Sequence, residues 1–281
     1  MSALLAVDIG NSTIGFGIFL NPIKNTKLFI KKIPTHPIQS AEAYKKIIAE
    51  IIEHSIHSPN HPSIHSPEID SIISSVVPSL NPPIIKAVED ICGRQPLIVS
   101  YKLHCGLTFS VKQPGEIGAD RIANALAGFY YFKKPVAVVD FGTATTITVV
   151  GRHSNFLGGT IMPGIELMQK ALHTGTAKLP PVSIKRPKTV LGKDTASSMT
   201  SGIINGTAGA VEALIKSIEK ELGFRLKLVL TGGHAKLVSP LIKRDHSMAP
   251  NLTFEGLRLI YLYIFRLKSL NSGIKEQICM N

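Results

Sequence analysis

The sequence predicts an α/β protein made of two similar units, each opening on a β-hairpin, with a ligand held in the cleft between them. Three observations carry that prediction. VDIGNSTIGFGIF at residues 7–19 and VDFGTATTITVV at residues 139–150 share one design: an apolar run closing on Asp-x-Gly, small hydroxylic or amide residues, then a second β-branched run. Asp8 and Asp140 stand 132 positions apart, room enough for a domain between them. After each hairpin, short strand-like runs alternate with longer runs whose apolar residues recur at helical spacing. The repeat divides the chain into a first domain over 1–115 and a second over 116–281.

In the first domain, strands are expected at 3–8, 13–20 and 27–33. SAEAYKKIIAEIIEH, 40–54, follows as a helix with Ser40 as its N-cap. The segment at 55–67 is rich in His and Pro, and it leads into a buried strand in DSIISSVV. His54, His57, His61 and His65 invite a metal-site reading, but proline breaks any helical face they could share, so a solvated loop is the expectation. A helix at 81–92 and strands at 96–100 and 106–111 are expected to complete the unit. PGEIGADRIANALAGFYYF, 114–132, starts as a turn and becomes a helix with Ile122, Ala125, Leu126 and Phe129 on one face. The second domain repeats the layout with strands at about 136–140, 145–151 and 156–161. Helices at 164–173, 194–221 and 253–268 follow, with the strand LKLVLTGG between the last two.

The 281 residues are 44% hydrophobic and 18% charged, the balance of a water-soluble globular chain. Nothing approaches the roughly 20 apolar residues of a membrane span, and the early Asp8 is unlike a signal peptide. Cys92, Cys105 and Cys279 are odd in number and lack metal-ligand spacing, which points to a reducing, cytoplasmic setting. The net charge of +12 is spread over doublets such as Lys31-Lys32, Lys45-Lys46, Lys133-Lys134 and Lys185-Arg186. That scatter suits a solvated surface that gathers phosphate-bearing ligands, and it argues against nucleic acid as a partner.

An Asp-x-Gly turn can be an ordinary hairpin, but it also has what a phosphate needs. Glycine admits close backbone approach, successive N–H groups make an anion-binding concavity, and Asn11, Ser12, Thr13, Thr143 and Thr145 add small donors. An aspartate so near a phosphate requires a cation or water between them. Two copies at matching places favour the phosphate reading over two ordinary turns. Asp120, in GADR at a helix start, is open to two readings as well. It either caps the helix and pairs with Arg121, or accepts a proton in catalysis.

The paired hairpins resemble those of the actin, sugar-kinase and acetate-kinase superfamily, in which two ribonuclease-H-like domains each give a phosphate-binding hairpin to one nucleotide. Further blocks resemble the type III pantothenate kinases: DIGNST, PGEIGADR, DFGTATT, GGTIMPGIELMQKALHTGTAKLP at 158–180, GKDTASSMTSGIINGTAG, TGGHA and LTFEGLRLIY, in family order along the chain. The resemblance implies ATP-dependent phosphorylation of pantothenate to 4'-phosphopantothenate, the first step towards coenzyme A, in a homodimer. It makes Asp120 the proton acceptor and assigns pantothenate to Gly118, Ala119, Asp120, Arg121 and Thr195, the last often acting across a subunit boundary. ATP falls to Asp8, Ile9, Gly10, Asn11, Ser12, Thr13, Ile14, Gly15 and Thr143. Asp8 would hold magnesium or its water shell, and Asp140 an activating monovalent cation, potassium or ammonium. Asp194 or Thr195 would otherwise serve as a helix N-cap. Gln113 departs from the family's usual asparagine, and Val111 from the tyrosine of some members. Two other readings share the fold, a transcription accessory factor and a polyphosphate phosphatase, but GADR with GKDT fits pantothenate better.

Overall fold

The protein is described by a computed structural model covering residues 3–23, 28–56 and 68–278, with side chains as far as residue 265. The chain forms two compact units. One takes Met1–Leu107, Lys112–Ala127 and Thr253–Asn281, and the other Thr108–Val111 and Gly128–Leu252.

The first unit opens with β1 (Ala3–Ile9), β2 (Thr13–Phe19) and β3 (Leu28–Pro34), an antiparallel run. After α1 (Ala41–Ile56) the chain returns as β4 (Ile69–Ser75), parallel to β1, and after α2 (Asn81–Cys92) as β5 (Leu97–Ile98), parallel to β4. The sheet order is β3-β2-β1-β4-β5. Ser40 caps α1 as expected, its Oγ accepting from Ala43 N at 3.3 Å. The helices seal one sheet face: Tyr44, Ile48 and Ile51 of α1 and Ile84, Ala87 and Val88 of α2 join Leu5, Val7, Ile9, Ile14, Phe16 and Ile18 in one core. The His/Pro stretch lies outside the described residues from 57 to 67, so of the four histidines only His54, on α1, is placed.

The sheet of the second unit has the order β11-β10-β7-β8-β9-β6. Its members are β6 (Thr108–Phe109), β7 (Val136–Phe141), β8 (Ala144–Val150), β9 (Asn155–Pro163), β10 (Lys227–Thr231) and β11 (His246–Met248). Set β6 aside and the order and strand directions repeat those of the first sheet, β7 standing for β1 and β10 for β4. The duplication expected from the two hairpins is therefore present strand for strand. Between these strands run α3 (Ala119–Phe132), α4 (Ile165–Thr174), α5 (Thr195–Leu222) and the short α6 (Ala235–Val238), and the chain closes with α7 (Leu252–Ile278).

Several particulars differ from the sequence reading. The strand at 106–111, expected to complete the first unit, pairs parallel with β9 in the second sheet. Phe109 packs on Phe156 with ring centroids 5.7 Å apart, and Ser110 N donates to Phe156 O. A parallel pairing closes through a long connection, so local pattern carries no trace of it. α3 was expected to bury one face, yet every residue from Ile122 to Gly128 is buried. The helix crosses between the units after Ala127, and α7 belongs to the first unit, so the compact units do not follow a single division at residue 115. Phe254 of α7 explains the alternating glycines of TIGFGIF. A Cβ on Gly15 would lie 2.8 Å from its ring, and one on Gly17 2.7 Å.

Among the described residues Cys92 and Cys105 are free. Burial pushes the Cys92 thiol up to about 11 and raises Cys105, so both stay protonated and unreactive.

The second unit holds one buried carboxylate. Glu219, near the end of α5, accepts from Leu226 N at 2.6 Å, Arg225 Nη1 at 2.8 Å and Arg244 Nη1 at 2.9 Å. Burial alone would raise its pKa, but Arg244, the Leu226 amide and Arg225 together bring it down to about 2. A lowered carboxyl stabilises the fold at neutral pH and loses that contribution as pH falls from the ordinary glutamate range towards 2. Arg244→Ala, which strands the carboxylate, should cost about 3 kcal/mol at pH 7 in urea unfolding. The deficit should shrink as the pH is lowered towards 3.

Candidate active site

Each hairpin carries its aspartate one residue before the end of the central strand. Asp8 lies opposite Gly15 on β2 and beside Ser74 on β4, and Asp140 opposite Thr146 on β8 and beside Thr231 on β10. The turns that follow differ. The first runs Gly10-Asn11-Ser12-Thr13 between the paired Ile9 and Ile14, the second Gly142-Thr143-Ala144 between Phe141 and Thr145. The second is thus one residue shorter, with fewer backbone N–H groups and no amide side chain. Asn11, Ser12, Thr13 and Thr143 are exposed at the tips. Ile9 and Ile14 have fully buried side chains in the first core, so only their backbones can face a ligand.

The carbonyls closing the two central strands are taken in the same way. Val76 N, just past β4, donates to Ile9 O at 3.0 Å; His234 N, past β10, donates to Phe141 O at 3.1 Å. Val76 also touches the loop before α3, since a Cβ on Gly118 would lie 3.3 Å from its Cγ1. Val76 therefore bridges the end of β1 and the GADR stretch.

Asp120 sits in the first turn of α3, inside the cap position. Its Oδ1 accepts from Arg121 N at 2.8 Å, while Gly118 O takes Arg121 N and Ile122 N at 3.1 and 3.2 Å. Burial drives the Asp120 pKa up; the Arg121 amide and the Arg121 charge pull it down without cancelling the rise. Arg121 is lowered by the same burial, against the pull of Asp120. The glycine before this pair is a spatial requirement, because a Cβ on Gly118 would come 2.5 Å from Asp120 Oδ1. A desolvated, raised carboxyl at a helix start suits a general base.

In the second unit two segments named by sequence but given no site role pack on the second hairpin, one against its turn and one against Asp140. Gly164, where β9 gives way to α4, donates its N–H to Thr143 O at 3.0 Å. Gly232 of TGGHA has φ +93°, and its Cα rests on Asp140, where a Cβ would strike Oδ1 and lie 2.6 Å from Phe141 N. His234 Nε2 stands 3.5 Å from Glu166 Oε1 of α4. Thr195, the first residue of α5, is exposed. The cap is Asp194, whose Oδ1 accepts from Ser197 N at 2.8 Å while Ser197 Oγ accepts from Asp194 N. Val111 packs by Gly158 on β9, and the Gln113 amide faces the Glu116 carboxylate.

The residue that sequence reasoning missed is Thr35, fully buried just after β3. Its Oγ1 donates to Gly10 O at 2.7 Å and its N–H to Ser12 O at 3.0 Å. Lone threonines after edge strands are common, and only the pairing of β3 with β2 brings this one under the first turn.

For a cation, the donor set is hard oxygen: the Asp8 and Asp140 carboxylates beside the turns, which suits magnesium, potassium or ammonium better than a softer metal. Among the described residues no cluster of three or more His, Cys, Asp or Glu could hold a metal by itself. A cation here would share its coordination with phosphate oxygens or water, as kinase magnesium does.

The duplicated sheets with a turn at each central strand define the actin and sugar-kinase-like α/β fold, and solved structures agree. The chain resembles a Baf-family transcriptional activator from Campylobacter jejuni at 20% identity and TM-score 0.53, over 91% of this chain and 96% of that one. It resembles the ethanolamine utilization protein EutJ from Carboxydothermus hydrogenoformans at 16% and 0.54, over 92% and 89%. Component A of the Acidaminococcus fermentans (R)-2-hydroxyglutaryl-CoA dehydratase matches at 12% and 0.54, over 94% and 98%. Within that fold, residues 4–217 match the type III pantothenate kinase profile, and the chain belongs to that family of ATP-dependent kinases. Among the described residues no helix is long and apolar enough to cross a membrane.

Gly232→Ala should displace Asp140 and strain a left-handed backbone position, lowering stability by about 1–3 kcal/mol in urea unfolding. Gly233, with open space at its Cβ, should tolerate alanine at well under that cost.

Proposed function

We propose that the protein transfers the γ-phosphoryl group of ATP to the primary alcohol of pantothenate, giving 4'-phosphopantothenate and ADP, the first step of coenzyme A biosynthesis. The observation that carries this reading is Asp120, a carboxylate raised by burial at the start of α3 and tied through Gly118 and Val76 to the end of β1. As the alcohol oxygen attacks phosphorus, its proton passes to Asp120, the P–O bond to ADP breaks, and ADP leaves with the electron pair. Arg121 presents a planar fork to the substrate carboxylate, and the small Gly118 and Ala119 keep the approach open.

Asp8, the backbone from Ile9 to Gly15 with the Asn11, Ser12 and Thr13 side chains, and Thr143 take the nucleotide. Asp8 would hold magnesium through water, and Asp140 a potassium or ammonium ion; these cations supply charge neutralisation for the transferred group. Thr195, not needed as a cap, is available to pantothenate. A homodimer is part of this reading. Val190 and Leu191, 76% and 69% exposed just before α5, are pinned by Ser201 Oγ to Val190 O and by Thr189 Oγ1 to Leu191 O at 2.9 Å. With the backbone here tied down, two exposed apolar side chains suit a protein surface. Neither an accessory factor nor a polyphosphate phosphatase has use for a raised base beside a carboxylate-binding arginine. A cytoplasmic location fits its substrates.

The test is ADP release from ATP with pantothenate, magnesium and potassium; no turnover would overturn the assignment. Asp120→Asn should cut kcat by about 10²–10⁴-fold. Because burial disfavours the charged carboxyl, stability is lost as pH rises through its raised pKa. The same variant should therefore melt no earlier than the parent at pH 7. In the parent, kcat/KM should fall on the acid side along a limb lying above the ordinary aspartate range, and that limb should vanish in Asp120→Asn.

A further inference from the structure

We infer that Thr35 is a positioning residue that sets the phosphate-binding face of the first turn; the inference rests on the nucleotide reading above. Four backbone carbonyls of this stretch are already engaged within the unit. Ile9 O accepts from Val76 N, Thr13 O from Gly10 N, Gly10 O from Thr35 Oγ1 and Ser12 O from Thr35 N. Thr35 thus holds two of the four with one buried residue, its hydroxyl at 2.7 Å and its amide at 3.0 Å.

The consequence follows from peptide geometry. A trans peptide is planar, with its N–H directed opposite to its C=O. When Gly10 O is drawn towards Thr35, the N–H of Asn11 in the same peptide points away from it. When Ser12 O is drawn the same way, so does the N–H of Thr13. Two donors two residues apart then face out on one side of the turn, which is the arrangement of an anion-binding nest. Turned the other way, the same peptides would present two carbonyl oxygens to a polyphosphate and repel it. The threonine hydroxyl selects between these orientations at Gly10, a residue whose lack of a side chain leaves its peptide free to flip.

Thr35→Val keeps the shape and the backbone N–H and removes only the hydroxyl. It should weaken ADP binding, measured by calorimetry with magnesium, roughly five- to tenfold, the worth of one buried hydrogen bond. Adenosine, which has no phosphate, should bind as before. The KM for ATP should rise by a similar factor while the KM for pantothenate stays put, and Thr35→Ser should restore both. Equal ADP affinity in parent and Thr35→Val, or an equal loss for adenosine, would overturn the inference and leave the kinase reading standing. A parent that binds no ADP would overturn the kinase reading instead. Should the valine variant not fold, the parent gives the answer by ¹H–¹⁵N spectra. Saturating ADP should shift the amides of Asn11 and Thr13, and unmoved resonances there would sink the inference.

Discussion

The structure depends on what happens to the carbonyl at the end of each central strand. A sheet satisfies its backbone through neighbours, and where a strand stops, the last polar groups need another partner or water. At Ile9 and at Phe141 that partner is the N–H of a residue just beyond the parallel neighbour, Val76 in one unit and His234 in the other. The bond ties the crossover segment to the strand end and fixes the place from which each turn departs. Asp8 and Asp140, one residue earlier, inherit their orientation from it. The arrangement recurs in both units although Val76 and His234 have no chemistry in common, because the backbone supplies the donor.

On that shared frame the units have diverged in what surrounds the aspartate. Asp8 is followed by a four-residue turn with amide and hydroxyl side chains, braced from beneath by Thr35. Asp140 is followed by a turn one residue shorter, which Gly164 contacts at Thr143 O, and Gly232 packs on the aspartate itself. A longer turn offers more N–H groups to an extended anion. A shorter turn with its carboxylate tightly fenced suits a single small cation. The two turns thus differ in length and in packing as well as in side-chain identity.

Most of the fold was legible because hydrophobic period is a local signal. Alternating runs gave β1 to β4 and β7 to β10 within a residue or two, and Ser40 and the helical spacing gave α1. The duplication could be read because both copies keep Asp-x-Gly at the strand end. What escaped was non-local. Thr108 and Phe109 look like any short strand, and nothing near them says that their partner is Asn155–Phe156. Nothing near Gly15 and Gly17 says that Phe254, more than 230 residues later, lies across them. Thr35 sits in an unremarkable PTHP stretch, and its partners lie 25 and 23 positions earlier. The raised carboxyl of Asp120 depends on burial, which a sequence does not display.

The chain passes between the units four times, after Leu107, Val111, Ala127 and Leu252. The first unit is finished only by α7: Phe254 covers the glycines of β2, Arg258 Nη1 reaches Pro22 O at 2.8 Å, and Tyr261 Oη donates to Asp70 at 2.6 Å. During synthesis on the ribosome, residues 3 to 107 therefore emerge with an apolar surface whose cover is translated only after the second unit. The second unit, nearly contiguous from Gly128 to Leu252 and with its β6 edge translated earlier still, is complete by then. Order of synthesis and order of completion are reversed, so the unit that begins first closes only after the second unit has been made.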